Sequence, residues 1–267
     1  MITNWIKKVG SLTILLILIF FAVPLFSYTW ISLSSISIEI FNDLYFDGLK
    51  ISIISSFTSL IIVLILGLPS VYYYYINKST YTKAIFSIAE FPLVIPPSVS
   101  GLILLITFGS NGTVGKLLDN IGINIPFTII AVCMAQIFVG GPLFLKNIKT
   151  SLEGMEEEIV NTGKILGLNE TQIFFKIILP QNKTAILSAT IITLSRMLSE
   201  FGATIMFAGN LRGTTQTLPL LIYSSMEKDI NIAIVVGFTL LLISLLIQIL
   251  LKYFLRNRGK KISNKFN

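Results

Sequence analysis

The stretch Lys146–Pro180, KNIKTSLEGMEEEIVNTGKILGLNETQIFFKIILP, is the longest polar interruption in an otherwise apolar chain. It is too polar to sit in lipid and too regular to be disordered. Thr150 followed by Glu153 reads as a capping-box helix start, in which hydroxyl and carboxylate each answer a free backbone N–H. Gly167 reads as a stop, because glycine accepts left-handed backbone geometry. Asn169 with Gln172 reads as a second start, and Pro180 as the end of that second helix. The stretch is therefore expected to hold two short helices joined at Gly167–Asn169. Its apolar residues, Ile165 and Leu166, then Ile173, Phe174 and Ile177, have no membrane to enter. They either pack beneath the chain's own bundle or fill a groove on another chain, and the pattern alone favours neither.

On both sides of this stretch the chain is apolar. Of 267 residues 54% are hydrophobic and 12% charged, where a soluble domain carries about 25% charged residues. The apolar residues come in six blocks: Leu12–Ile31, Ile51–Ile76, Ala84–Phe108, Ile125–Leu145, Ala185–Ala208 and Ile230–Tyr253. Each is long enough to cross a bilayer. Backbone groups in hydrocarbon must bond within their own segment, so each block is expected to be helical. The fold class is all-α, a polytopic membrane protein of six transmembrane helices. Little chain is left for a soluble domain, so residues 1–267 read as one unit. The first block follows Lys7 and Lys8 as a signal peptide would, but its apolar run is long and no small-x-small site follows cleanly. It reads as a retained span.

Basic residues give the orientation, since Lys and Arg collect in cytoplasmic loops. Fifteen fall at the termini and in alternate loops: Lys7, Lys8, Lys78, Lys83, Lys146, Lys149, Lys164, Lys176, Lys183, Lys252, Arg256, Arg258, Lys260, Lys261 and Lys265. The other loops hold four, Lys50, Lys116, Arg212 and Lys228, with Arg196 left inside a span. Both termini are expected in the cytoplasm. The net charge of +7 is thus a matter of topology and not a nucleic-acid signal. The acidic loop Ser32–Lys50 is expected outside, along the membrane surface.

Two blocks carry residues that a membrane helix resists. EFPLVIPPSVSG puts Glu90, Pro92, Pro96 and Pro97 in the third block, ahead of Ser98. Proline lacks the amide donor and clashes with the preceding turn, so that helix must bend or break. TLSRMLSEFGATIMF puts Arg196 and Glu200 in the fifth, with Ser199 and Gly202 beside them. A charge at the bilayer centre costs about 2.5–3.5 kcal/mol on insertion scales and faces the bundle interior or water. At i, i+4 the two charges can meet on one helix face. They are expected to neutralise each other, either locking the helix to its neighbours or holding Arg196 towards an anion's path.

Several chemistries are excluded. There is no histidine and a single cysteine, Cys133, so neither a disulfide within the chain nor a soft metal site can be built, and Cys133 reads as a small buried side chain. GSNGTVGKLL looks like a phosphate-binding loop but has Ser110 where a glycine is needed and Leu117 where a hydroxyl is needed. A membrane-embedded enzyme would lack a nucleophile or metal cluster, and an ion-coupled transporter would be expected to show inverted repeats, which are absent.

The polar stretch resembles the cytoplasmic motif of permease subunits of the ABC importer superfamily. Gly167, nine residues, Ile177 and then Leu179-Pro180 match the motif's spacing, while Asn161-Thr162-Gly163 stands where that family has Glu-Ala-Ala, with Glu156, Glu157 and Glu158 just upstream. SEFGATIMFAGNLRGTTQTLPLLIY, FPLVIPPSVSGLILL and GSNGTVGKLL resemble molybdate-transporter permeases, with sulfate and tungstate permeases as near relatives. The resemblance covers about 44–251. It implies a homodimer, two cytoplasmic ATPase subunits that use ATP and Mg2+, an external oxyanion-binding protein, and a location in the cell membrane. It implies no cofactor, no catalytic residue and no metal on this chain, and no nucleic-acid partner. The stretch 150–180 would be the ATPase-coupling loop, with Glu157, Glu158, Asn161, Gly163, Gly167, Ile173, Phe174, Ile177 and Pro180 as its candidate residues. Glu90, Pro96, Pro97, Ser98, Arg196, Ser199, Glu200 and Gly202 are the candidates for the pathway and gate. The cargo would be a tetrahedral oxyanion, molybdate first, then tungstate or sulfate.

Overall fold

Every regular element among the described residues is helical, as a chain dissolved in lipid requires of its backbone. The computed structural model describes residues 2–77, 79–155 and 157–263, and the side chains of 2–8, Glu157, Leu251 and 254–263 are outside that description. Lys78, Glu156 and Lys265 lie outside the described residues, as do the side chains of Lys7, Lys8, Glu157, Arg256, Arg258, Lys260 and Lys261.

The helices are α1 (Ile2–Ser35), α2 (Asp43–Ile76), α3 (Thr80–Glu90), α4 (Pro97–Phe108), α5 (Gly115–Asp119), α6 (Ile129–Glu153), α7 (Glu157–Ile165), α8 (Glu170–Ile173), α9 (Leu179–Leu198), α10 (Gly202–Phe207), α11 (Leu218–Met226) and α12 (Ile230–Ser263). Among the described residues five segments are long and apolar enough to span: Val9–Ser35, Asp43–Ile76, Ile129–Glu153, Glu170–Leu198 and Ile230–Leu250. The sixth is a broken pair, Thr80–Val94 and Pro97–Phe108, bent by 118°.

Helix α1 stands apart, with Leu12, Phe20 and Phe26 exposed. It meets the bundle through Tyr28, whose hydroxyl donates to the Ile234 carbonyl of α12 at 2.8 Å. Gly237 makes room for that ring, since a Cβ there would strike its hydroxyl. Most of the loop expected at Ser32–Lys50 is helix. Asn42 accepts from the amides of Leu44 and Tyr45 and starts α2 at Asp43, so the second block begins well before Ile51.

The centre of the bundle is α2 against α6 and α9. Val63, Val71, Phe144, Ile148, Leu194 and Met197 fill one half, and Leu104, Val132, Ala135, Ala203 and Phe207 fill the other beneath α4 and α10. Between α2 and α6 runs a buried polar seam. Ser52, Ser55, Ser56 and Ser59 recur at helical spacing along α2 and are all buried, so they share one face. Gln136 of α6 donates through Nε2 to Ser55 Oγ and Ser56 Oγ, both at 3.1 Å, and accepts from Ser59 Oγ at 3.0 Å. Ser52 Oγ accepts from the Leu218 amide at 2.7 Å, which joins the start of α11 to the same seam. Cys133 borders it, its thiol 3.7 Å from the Ser55 carbonyl.

Two sequence signals gave way to longer-range packing. Thr150 does not cap a helix: α6 runs on to Glu153, and the Thr150 hydroxyl donates back to the Lys146 carbonyl at 2.9 Å. Burial of Ile148 and Leu152 in the core outweighs a local cap, so the first short helix begins at Glu157. Pro180 does not end a helix either. Phe174–Ile178 form a π-turn that runs into α9 with Pro180 in its first turn. The wider turn accommodates the missing proline donor.

Candidate functional site

The coupling candidates lie where α7, α8 and the π-turn fold against the end of α2. Gly167 has φ +79° and nothing within 4 Å of where a Cβ would stand, so it ends α7 by its left-handed backbone alone. Asn169 and Gln172 form the expected reciprocal cap, with the Asn169 side chain accepting from the Gln172 amide at 2.8 Å and the Gln172 side chain accepting from the Asn169 amide at 3.1 Å. Gly163 is buried where α7 meets the π-turn, and a Cβ there would lie 2.7 Å from Ile177 Cδ1.

The two alternatives left open by the pattern divide the apolar residues of this loop between them. Ile173 is buried, and Phe174 lies 4.3 Å ring to ring from Tyr72 of α2. Ile177 packs on the same core. These three residues hold the loop to the bundle. The apolar residues left open here are Ile165, 85% exposed, Leu166, 74%, and Phe175. Glu158 and Asn161 are exposed on α7, and Pro180 is exposed at the start of α9. Asn161 and Lys164 border a cleft with Tyr72, Tyr75 and Glu170.

The pathway candidates gather around two breaks. The third block breaks at Phe91–Ile95, a 3-10 turn followed by an extended residue, and Pro96 and Pro97 start α4. The fifth block breaks at Ser199–Phe201, between α9 and α10. The helices after the breaks touch backbone to backbone. A Cβ on Gly101 of α4 would lie 2.5 Å from the Ala203 carbonyl oxygen and 2.8 Å from Ala203 Cα. A Cβ on Gly202 would lie 3.0 Å from Pro97 Cβ and from the Ser98 amide nitrogen. Pro97, Ser98, Gly202 and the neighbouring Ser199 and Glu200 are thereby brought to one place, with Ser98 and Ser199 exposed.

Arg196 and Glu200 do pair, Nη2 to Oε2 at 3.1 Å, but not on one helix face as expected. Glu200 lies beyond the end of α9 and caps the next helix: its Oε1 accepts from the Ala203 amide at 2.8 Å. Its side chain is 1% exposed, while that of Arg196 is 35% exposed. Oε2 takes no well-aligned hydrogen bond, so the ion pair rests on proximity. The carboxylate is fixed and buried, and the guanidinium keeps donors on an open side. The Ser199 hydroxyl donates to the Arg196 carbonyl at 3.2 Å and fastens the end of α9.

Glu90 belongs to neither group. It ends α3 and pairs with Lys149 of α6 at 2.8 Å. Sequence reasoning did not single out Lys149, Gln136 or Gly101. Gln136 was signalled by being polar within an apolar block; Lys149, inside the polar stretch, and Gly101, small and apolar, carried no such signal. Among the described residues no group of three or more His, Cys, Asp or Glu side chains could hold a metal ion.

Residues 75–260 match the family model described as a binding-protein-dependent transport system inner membrane component. The chain is 36% identical over 215 residues to a "probable transport system permease protein NifC" of Clostridium pasteurianum, covering 79% of this chain and 75% of that one. It is 30% identical over 202 residues to the "molybdenum transport system permease protein ModB" of Mycobacterium tuberculosis, covering 75% and 76%. A "probable sulfate transport system permease protein cysT" of Chlorella vulgaris is 34% identical over 166 residues, 62% of each chain. Among solved structures, a bacterial ABC transporter involved in the import of the acidic polysaccharide alginate superposes with TM-score 0.71 over 96% of both chains at 18% identity.

Proposed function

We infer, for a chain that belongs to the binding-protein-dependent transport system inner membrane components and is the multi-pass permease of an ABC importer in the plasma membrane, that its cargo is a tetrahedral oxyanion, molybdate before others. The observation that carries the choice of cargo is the relative named for molybdenum transport, at 30% identity over three quarters of both chains. The site supports an anion. Arg196 is the basic side chain next to the break between α9 and α10; its partner carboxylate is turned inward, while the guanidinium is 35% exposed. An exposed Glu200 would repel a dianion; a buried, capped Glu200 orients Arg196 instead.

The transporter would be a homodimer of this chain with two cytoplasmic ATPase subunits and an external oxyanion-binding protein. ATP and Mg2+ act on the ATPase subunits, and this chain does no covalent chemistry. Closure of the ATPase pair favours one arrangement of the permease over the other, and only that difference in affinity moves the equilibrium. Ile165 and Leu166, raised beside Gly167, are the knobs that would enter an ATPase groove, with Glu158 and Asn161 on the same short helix. Ile173, Phe174 and Ile177 carry the resulting push into the bundle.

Sulfate is the second reading, favoured by the sulfate-named relative. The test is ATP-driven uptake of radiolabelled molybdate into vesicles holding the assembled complex, with unlabelled tungstate or sulfate as competitor. Saturable uptake that tungstate suppresses and sulfate does not supports molybdate. Suppression by sulfate at equal concentration moves the cargo to sulfate, and uptake without ATP overturns the importer reading.

A further inference from the structure

The break in the third block and the coupling loop are far apart in sequence, yet one ion pair links them. Lys149 lies in the last turns of α6, one helical turn before Glu153, the final residue of that helix. Helix α7 of the coupling loop begins four residues later, at Glu157. The Lys149 ammonium donates to Glu90 Oε1 at 2.8 Å, and Glu90 is the last residue of α3, immediately before the turn Phe91–Val94 that leads into α4. Both side chains are about four-fifths covered, at 19% and 21% exposure.

The surroundings hold this pair in one geometry. The Tyr74 hydroxyl of α2 donates to Glu153 Oε1 at 2.8 Å, and the Lys149 ammonium sits 5.2 Å from the Tyr74 ring centroid. Phe86 of α3 lies 4.6 Å from the same ring. Helix α3 is thus fixed to α2 by an aromatic contact and to α6 by a charge, while its far end opens directly into the short 3-10 turn Phe91–Val94 and the extended residue Ile95, where the α-helical ladder is interrupted. From there the route continues through Pro97 and Gly101 to α10, and so to Glu200 and Arg196, by the backbone contacts described above.

We propose that the Lys149–Glu90 pair is a positioning strut: it transmits movement of the coupling loop to the break before α4, and so sets the opening of the pathway at Ser98. Neither residue touches cargo. The proposal rests on the permease reading for its source of movement, the ATPase, but not on which anion is carried. A charged pair suits this task better than an apolar contact. Truncating one partner leaves the other partly buried and unpaired, so the two helix ends resist separation. A route through packed side chains needs direct coupling evidence rather than proximity, and a charge pair offers it by reversal.

The test uses the assembled complex in vesicles, with Cys133→Ala and Ser98→Cys in the permease and a membrane-impermeant thiol reagent. Labelling at position 98 is compared with and without ATP, and ATP hydrolysis and labelled molybdate uptake are read on the same vesicles. With the strut intact, ATP changes the labelling rate at position 98. Glu90→Gln, which keeps shape and loses charge, and Lys149→Ala should each reduce that change roughly tenfold while hydrolysis continues, a size typical of coupling between contacting residues. The reversed pair Glu90→Lys with Lys149→Glu should restore most of it. A role only in stability would lower assembly and hydrolysis together and leave the ATP response of the assembled fraction unchanged; that result overturns the strut. So does an intact ATP response in both single variants, a reversed pair no better than either single one, or no ATP response in the parent. No molybdate uptake by the parent, with its ATP response present, counts against the cargo and leaves the strut standing.

Discussion

The seam between α2 and α6 and the contact between α4 and α10 are both buried and both made of small residues, but they treat polar groups in opposite ways. In the seam the Gln136 amide meets three serine hydroxyls, and a fourth serine takes the Leu218 amide. At the α4–α10 contact the hydroxyls of Ser100 and Thr204 are buried and have no partner, and nearby Glu200 Oε2 has only its ion pair; Thr193 on α9 and Thr217 beside Leu218 are two further buried hydroxyls without one. A satisfied interior network favours one arrangement, whereas a buried orphan costs about 1–3 kcal/mol and gains from leaving it. The seam therefore serves as the fixed frame. On the proposed function the α4–α10 pair, bounded by breaks at Phe91–Ile95 and at Ser199–Phe201, is the part that moves.

The largest effect that would break this contrast is at Glu200. Glu200→Ala removes the cap on α10 and leaves Arg196 unpaired, and should cost about 3 kcal/mol or more, read as lost thermal stability of the purified complex together with lost uptake. Glu200→Gln keeps the acceptor for the Ala203 amide and should recover much of the stability without the uptake. Full recovery of both stability and uptake in Glu200→Gln would reduce Glu200 to a cap.

Next is Gly101→Ala. The added methyl would face backbone atoms of Ala203, which cannot swing aside, so α4 and α10 must separate at a cost of about 1–3 kcal/mol. Uptake should fall while membrane insertion stays normal. Unchanged uptake would show that the close contact is not part of the moving element.

In the frame, Gln136→Leu should cost about 1–2 kcal/mol, since interhelical hydrogen bonds in membranes are individually modest. It should lower the temperature of inactivation and leave turnover per folded complex intact. A fall in turnover with no loss of stability would place the seam among the moving parts and erase the contrast.

Smallest is Gly167→Ala, which meets no neighbour and adds only left-handed backbone strain of about 1–2 kcal/mol. ATPase co-purification should weaken while insertion persists, and Gly167→Asn should be milder because asparagine tolerates that geometry. Full co-purification with alanine would take Gly167 out of the docking account.

How far the sequence could be read follows from the range of the forces involved. Local signals with no competitor held: Gly167 is left-handed, Asn169 and Gln172 cap each other, and the prolines of the third block break it. Signals that competed with burial did not. Thr150 lost to the packing of Ile148 and Leu152, and Pro180 was absorbed by a π-turn. The apolar rhythm of Ile173, Phe174 and Ile177 marked a covered face but could not say what covers it, and Tyr72 and the α2 core do. The Arg196–Glu200 spacing gave the pair correctly and its backbone wrongly, because nothing local in SEFG shows that the helix stops before Glu200. Lys149 with Glu90, and Gly101 with Ala203, are meetings of distant segments that no single window contains.

The central claim is that cargo moves along the breaks beside α4 and α10 and not along the polar seam. Single cysteines at Ser98 and Ser199, and at Ser55 and Ser59, each in the Cys133→Ala background, test it in vesicles carrying the complete transporter. An impermeant thiol reagent should label positions 98 and 199, ATP should change those rates, and molybdate supplied with its binding protein should slow them. Positions 55 and 59 should stay unlabelled throughout. Molybdate-sensitive labelling at 55 or 59, with 98 and 199 inert, would contradict the account.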